Sequence, residues 1–159
     1  MKAYSIFTVI ALAIFVGCGA AAQTPQEQQD IQKALDNRSY QIDINYMIPM
    51  RGMSKSVSGY SLTVEGDSID SQLPYIGQAQ SIPYGGGKGL SFQADINSYT
   101  DKGLEKDCRT IVIDVRNDED HYVYTLDIFD SGDASVSVRC DNRDDISYRG
   151  ILNTDYKKQ

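Results

Sequence analysis

Residues 111–140 read IVIDVRNDED HYVYTLDIFD SGDASVSVRC, and the fold follows from how this stretch alternates. Ile111, Ile113 and Val115 alternate with polar neighbours up to the turn Asn117-Asp118-Glu119-Asp120. Tyr122, Tyr124, Leu126 and Ile128 do the same up to Asp130-Ser131-Gly132-Asp133. Val136, Val138 and Cys140 then lead to Asp141-Asn142-Arg143-Asp144-Asp145, after which Ile146, Tyr148 and Leu152 continue the pattern. A period of two puts alternate residues on one face of a strand, and turn-forming residues at each reversal make these segments hairpins in series.

The same period extends towards the N-terminus. Tyr40, Ile42, Ile44, Tyr46 and Ile48 predict one face of a strand ended by Pro49 and Gly52. Tyr60, Leu62 and Val64 share a face before Glu65-Gly66-Asp67, Ile69 to Leu73 forms a short strand, and Leu90, Phe92, Ala94 and Ile96 form another. Ahead of them, Thr24 as N-cap, Pro25 in the first turn and Glu27 closing a capping box start a short helix from about Pro25 to Asn37, with Ile31, Ala34 and Leu35 as its apolar face. The expected fold is mainly β: an antiparallel meander of about eight strands forming a small barrel or sandwich, with one short N-terminal helix plugging or flanking one end. No strand–helix–strand alternation occurs, which excludes the parallel-sheet nucleotide folds.

The chain has 159 residues, enough for one domain with a real core. It carries 15 Lys and Arg against 22 Asp and Glu, a formal charge of −7, which argues against a nucleic-acid surface. Lys2 followed by the apolar run Ile6 to Val16 has the layout of a secretory signal and is too short to span a bilayer. Two processing readings compete. Phe15-Val16-Gly17-Cys18 resembles a lipobox, with residues 1–17 removed and Cys18 lipidated; Ala20-Ala21-Ala22 instead suits cleavage after residue 22. Residues 23–38 then carry the helix and 39–159 the single β domain. The expected destination is the periplasm or the outer membrane, with no transmembrane span after signal removal and any membrane contact through the lipid anchor.

Export leaves Cys108 and Cys140 in an oxidising compartment, where pairing is the default. If strands 109–116, 121–129 and 133–140 run up, down and up, the two cysteines lie about 20 Å apart or more and point to opposite faces, so two free thiols are expected.

Four constellations carry candidate chemistry. The single histidine, His121, follows an acidic turn and reads as a solvated turn residue. Gly85-Gly86-Gly87-Lys88-Gly89 is followed by no helix and so lacks the context of a phosphate cradle. In a meander alternate turns share an end, so Asp118, Asp120, Asp141 and Asp144 converge as a candidate Ca²⁺ site. Tyr75 and Tyr84 on the long loop Pro74–Gly89, with Tyr60, Tyr99 and Tyr148 on strands and Arg143 beside them, form a candidate ligand or partner surface.

Three motifs carry a resemblance. Leu73-Pro74-Tyr75-Ile76-Gly77, then Pro83-Tyr84-Gly85-Gly86 with Gly89-Leu90-Ser91-Phe92, then Asn142-Arg143-Asp144-Asp145-Ile146-Ser147-Tyr148-Arg149-Gly150, resemble the DUF4251 family, a domain of unknown function. That family occurs in small exported proteins of Bacteroides-type bacteria. The resemblance implies export and a single β domain over nearly everything after Asp30, and it implies no reaction. Similar sequences often carry an aromatic residue at Ile76 and a basic one at Gln78, and the departure here weakens any ligand or anion role for that loop.

The leading functional expectation is a non-enzymatic periplasmic or surface-tethered binding or accessory module without a cofactor, contacting a small amphipathic ligand. A structural or envelope-assembly protein acting through protein contacts is the second reading. A weak hydrolase using Asp127 or Asp130 with Asp133 is the third, disfavoured because turn acids lack the apolar setting of a general acid.

Overall fold

A computed structural model describes residues 25–78 and 89–158. The segment expected to act as an export signal, with Cys18, Thr24 and Tyr84, lies outside the described residues. Helix α1 (Pro25–Asp36) is followed by eight strands: β1 (Ser39–Pro49), β2 (Lys55–Glu65), β3 (Ser68–Leu73), β4 (Leu90–Glu105), β5 (Cys108–Arg116), β6 (His121–Phe129), β7 (Asp133–Cys140) and β8 (Ile146–Asn153). Each strand pairs antiparallel with the next, and β1 pairs with β8, so the meander closes into a barrel. Among the described residues no helix is long and apolar enough to cross a membrane.

An eight-stranded barrel has an interior just wide enough for side chains to fill it. Here Tyr40, Ile42, Met47, Leu62, Ile69, Leu90, Ile111, Tyr122, Tyr124 and Tyr148 fill it, each fully buried. Phe92 and Tyr122 pack ring against ring at 4.7 Å, and the Tyr124 hydroxyl donates to Ser71 Oγ at 3.1 Å, whose own hydroxyl donates to the Leu90 carbonyl at 2.7 Å. The buried hydroxyls of Tyr124 and Ser71 are thereby satisfied within the core, whereas that of Tyr122 has no partner among the described residues.

Helix α1 closes one end. Ile31 and Leu35 are buried on the barrel, as the helical spacing predicts. Arg109 of β5 fastens the helix from below, donating to Gln32 at 3.0 Å and to Asp36 at 2.7 Å while also pairing with Asp101. That pairing holds the Asp101 carboxyl below its usual range. The chain leaves the helix through Arg38 in the left-handed region (φ +50°), with its guanidinium over the Tyr99 ring at 4.3 Å and 2.9 Å from Asp67.

Two strands depart from the simple period. The face predicted for Tyr40 to Ile48 breaks at a bulge between Ile44 and Tyr46 that appears against both β2 and β8. The extra residue, Asn45, reverses the phase. Met47 and Pro49 therefore enter the core, and Tyr46 and Ile48 stand half-buried on the outer wall. β4 is also longer than its apolar alternation suggests: residues 90–95 pair with β3 and the remainder pairs with β5. This stagger is the shear that lets a sheet close, and a second bulge between Ile96 and Ser98 turns Tyr99 inward.

Candidate functional site

The end opposite α1 is closed by the start of the long loop, residues 74–78, which runs across to the β7–β8 turn. Tyr148 donates its hydroxyl to the Pro74 carbonyl at 2.7 Å, and Tyr75 donates to the Asp144 carbonyl at 3.1 Å. The Asp144 amide donates to the Gln78 carbonyl at 2.9 Å, and the Gln78 amide donates to Asp144 Oδ2 at 3.1 Å. Burial raises the Tyr75 and Tyr148 hydroxyls above their usual range, so both stay protonated and keep donating at any physiological pH. Gly77 makes the crossing tight, because a Cβ there would stand 2.4 Å from the Tyr75 hydroxyl and 3.2 Å from Asp144.

Arg143 lies under this strap. Its side chain is almost wholly buried, 2.6 Å from Glu119, 3.5 Å from Asp120 and 5.9 Å from the Tyr75 ring centre. The sequence-predicted trio Tyr75, Tyr148 and Arg143 is therefore brought together, but as an internal fastening. The rest of the aromatic surface is not assembled. Tyr99 lies at the helix end, where its hydroxyl meets that of Tyr40 at 3.3 Å, and Tyr60 lies on the wall of the barrel. The bulge that turns Tyr99 inward has no apolar signature in the sequence, so a simple count along β4 misplaces it.

The two acidic turns do meet, as the meander requires, yet their carboxylates do not converge on one point. Asp120 accepts from the Asn142 amide at 3.1 Å, from Asn142 Nδ2 at 3.1 Å and from the His121 amide at 2.8 Å. Asp144 is turned to the strap, Asp141 to His121, and Asp118 is exposed. Among the described residues no group of three or more His, Cys, Asp or Glu side chains is placed to hold a metal ion. The four aspartates expected to hold Ca²⁺ are thus not gathered into one cluster in the described structure: Asp120 and Asp144 accept from N–H donors, Asp141 faces His121, and Asp118 is exposed.

His121 differs from the solvated turn residue expected. Its ring bridges two carboxylates, Nε2 at 2.8 Å from Asp114 and Nδ1 at 3.2 Å from Asp141, and these raise its pKa. The ring thus ties β5 and β6 to the turn that holds the strap. The three acids considered for hydrolysis have separate partners: Asp127 accepts from Thr110, Asp130 from Gln32 and Asp133 from Ser131. Cys108 pairs opposite Phe129 and Cys140 opposite Tyr122, so about 23 Å of β6 separates them and both thiols are free. Burial, with Asp120 and Asp145 nearby, pushes the Cys140 thiol up to about 12, which keeps it a weak nucleophile.

One surface feature escaped the sequence reading. Between the pairs Ile44 with Tyr60 and Tyr46 with Ser56, β1 advances two residues while β2 advances four. Val57, Ser58 and Gly59 stand opposite Asn45 alone, and Gly59 takes φ +76°. On the other side β8 presses close, since a Cβ on Gly150 would lie 2.4 Å from the Asp43 carbonyl oxygen. Together these bends open a groove of about 720 Å³ on the outer wall across β2, β1 and β8. Ile151, 52% exposed, lines it beside Asp43, Asn45 and Asn153, while Tyr60 borders it from the strand position paired with Ile44. A glycine inside a strand pattern, Gly59, was the one available signal of a bulge.

Comparison with known proteins places this architecture. A crystal structure of a DUF4251 family protein from Bacteroides eggerthii DSM 20697 is similar, with a TM-score of 0.61 at 14% identity over 84% of this chain and 95% of that one. Likeness at that identity speaks to fold alone. No curated protein matches. The model of DUF4251, a domain of unknown function, matches residues 22–152, well over half the sequence, and the chain belongs to that family.

Proposed function

We propose that this protein is an exported, non-enzymatic binding or accessory module that works on its outer wall and encloses no ligand. The observation that carries the reading is the filled interior: Tyr40, Met47, Tyr122, Tyr124 and Tyr148 occupy the volume that a small ligand would need. Removing even part of a close-packed core is costly, so a ligand cannot displace these side chains cheaply. The aromatic residues first expected to touch a ligand, Tyr75 and Tyr148, are engaged in holding the strap. Contact surfaces are therefore sought outside, where the β bulges open a groove.

A thermal-shift panel of bile-type and fatty amphiphiles tests this. No compound is expected to raise the melting temperature. A rise of several degrees at saturating excess, where linkage supplies about 3 kcal/mol, would contradict the reading. Export is tested by the mass of the mature chain isolated from the producing cell. A diacylated N-terminus at Cys18 or a cleaved one at Gln23 supports it, and an intact Met1 in the cytosolic fraction contradicts it.

A further inference from the structure

We propose that the outer face of β6, β7 and β8 is a contact surface for a second copy of this chain, centred on Phe129, Ile151 and the oppositely charged Arg149 and Asp133. The inference rests on the outer-wall reading above and names a partner for that wall. Strand alternation fixes which side chains are available. Ile128, Ala134, Val136, Tyr148 and Leu152 are buried in the core, so the alternate residues Phe129, Asp133, Ser135, Arg149 and Ile151 face outwards. Phe129 is 42% exposed and Ile151 about half exposed. These three strands carry Arg139 and Arg149 against Asp127 and Asp133, an even balance on a chain whose formal charge is −7. The wall therefore lacks the net negative charge that would repel a second copy.

The register then sets the charges. Asp133 pairs with Ile151 and Ser135 with Arg149, so Asp133 and Arg149 are diagonal neighbours on adjacent strands, about 7–8 Å apart between Cα atoms. That is within an arginine's reach, yet no ion pair joins them. Asp133 accepts from Ser131 Oγ at 2.8 Å, and among the described residues the Arg149 guanidinium has neither a hydrogen bond nor an ion pair. Beside them lies a hollow of about 500 Å³ over Ala134, Ser135 and Gly150, rimmed by Phe129 and by Asn45 of the β1 bulge. A surface of one sign selects a partner of the other sign. A surface that holds both signs side by side, with protruding apolar side chains next to a hollow over small residues, is complementary to itself. A two-fold axis passing between Arg149 and Asp133 brings each opposite the other's counterpart in the second copy and sets Ile151 beside its own copy. The contact also takes Phe129 out of water together with the two charges, and aromatic residues and arginine are the types that contribute most to an interface.

The test is sedimentation velocity on the mature chain from about 1 µM to about 1 mM, with the amide spectrum of each variant reporting whether the barrel is intact. The expected result is a reversible dimer with a Kd of about 10–100 µM, since a contact of this size is a weak one. Arg149→Asp and Asp133→Arg, taken singly, each place like charges across the axis and should weaken the dimer by about tenfold or more. The double variant, Arg149→Asp with Asp133→Arg, exchanges the signs and should return to within about threefold of wild type. Ile151→Glu gives an independent loss of about tenfold or more if either reversal disturbs the fold. A monomer throughout that range overturns the proposal and leaves the face to a partner other than this chain. A dimer that tolerates both single reversals and Ile151→Glu, or a double variant no tighter than the singles, overturns this face as its contact. The outer-wall reading stands through either of those results and falls only if the thermal-shift panel shows an amphiphile stabilising the barrel.

Discussion

The two ends of this barrel are closed by different physics. At the helix end, α1 presents Ile31 and Leu35 to the core and then adds the Arg109 network around its rim. At the strap end, residues 74–78 bury little apolar surface of their own and are held by four hydrogen bonds to Pro74, Gln78 and Asp144 plus a close approach at Gly77. Hydrophobic burial scales with area removed from water, whereas each hydrogen bond exchanges a protein partner for a water partner and yields about 1 kcal/mol net. The helix end should therefore contribute to global stability, and the strap should open locally, ahead of the barrel.

Substitutions can break that contrast, and the largest effect belongs to the helix. Leu35→Ala leaves a cavity under α1 and should cost about 2–5 kcal/mol in denaturant unfolding, with a single cooperative transition. A change below about 1 kcal/mol would mean that the helix is an ornament on a self-sufficient barrel. Gly77→Ala comes next. Its new Cβ must displace the Tyr75 hydroxyl and so break the bond to Asp144, at about 1–3 kcal/mol of local strain. Faster amide exchange confined to residues 75–78 and 141–145 is expected; equal acceleration around α1 would erase the distinction between the ends.

The smallest effect is pH-dependent and sits on His121. Asp114 first, then Asp141, raises its folded pKa above the unfolded value of about 6.5. The stabilisation is then fully present below about pH 6.5 and is lost as pH rises through the folded value. The melting-temperature gap between wild type and His121→Gln should accordingly be widest near about pH 5.5 and close by about pH 9. A gap independent of pH would show that the ring acts by packing alone.

The helix end was open to sequence reasoning because its physics is periodic. Ile31, Ala34 and Leu35 recur at helical spacing, and β5 to β8 alternate cleanly because each has one face in the core. The strap was not, since a hydroxyl reaching a carbonyl 69 residues away, as Tyr75 does to Asp144, leaves no period in the chain. Its residues were recognisable as a motif but read as a contact surface. The single extra residue at Asn45 likewise reversed a face that alternation assigned to Tyr46 and Ile48, because a one-residue slip in a period of two moves every later side chain across the sheet. The later half of β4 was missed for a related reason: beyond β3 it is mostly exposed, so no apolar alternation marks it. The groove follows from that same Asn45 bulge and was invisible for the same reason.

Three methionines provide the most direct test of the filled barrel, because Met47 is fully buried while Met50 and Met53 are 65% and 89% exposed at the β1–β2 tip. Methyl spectra recorded with a soluble paramagnetic agent, and again with saturating bile-type amphiphile, should bleach Met50 and Met53 and leave the Met47 methyl unbroadened and unshifted. A saturable shift or bleaching of Met47 would show that ligands reach the interior, and the outer-wall account would be wrong.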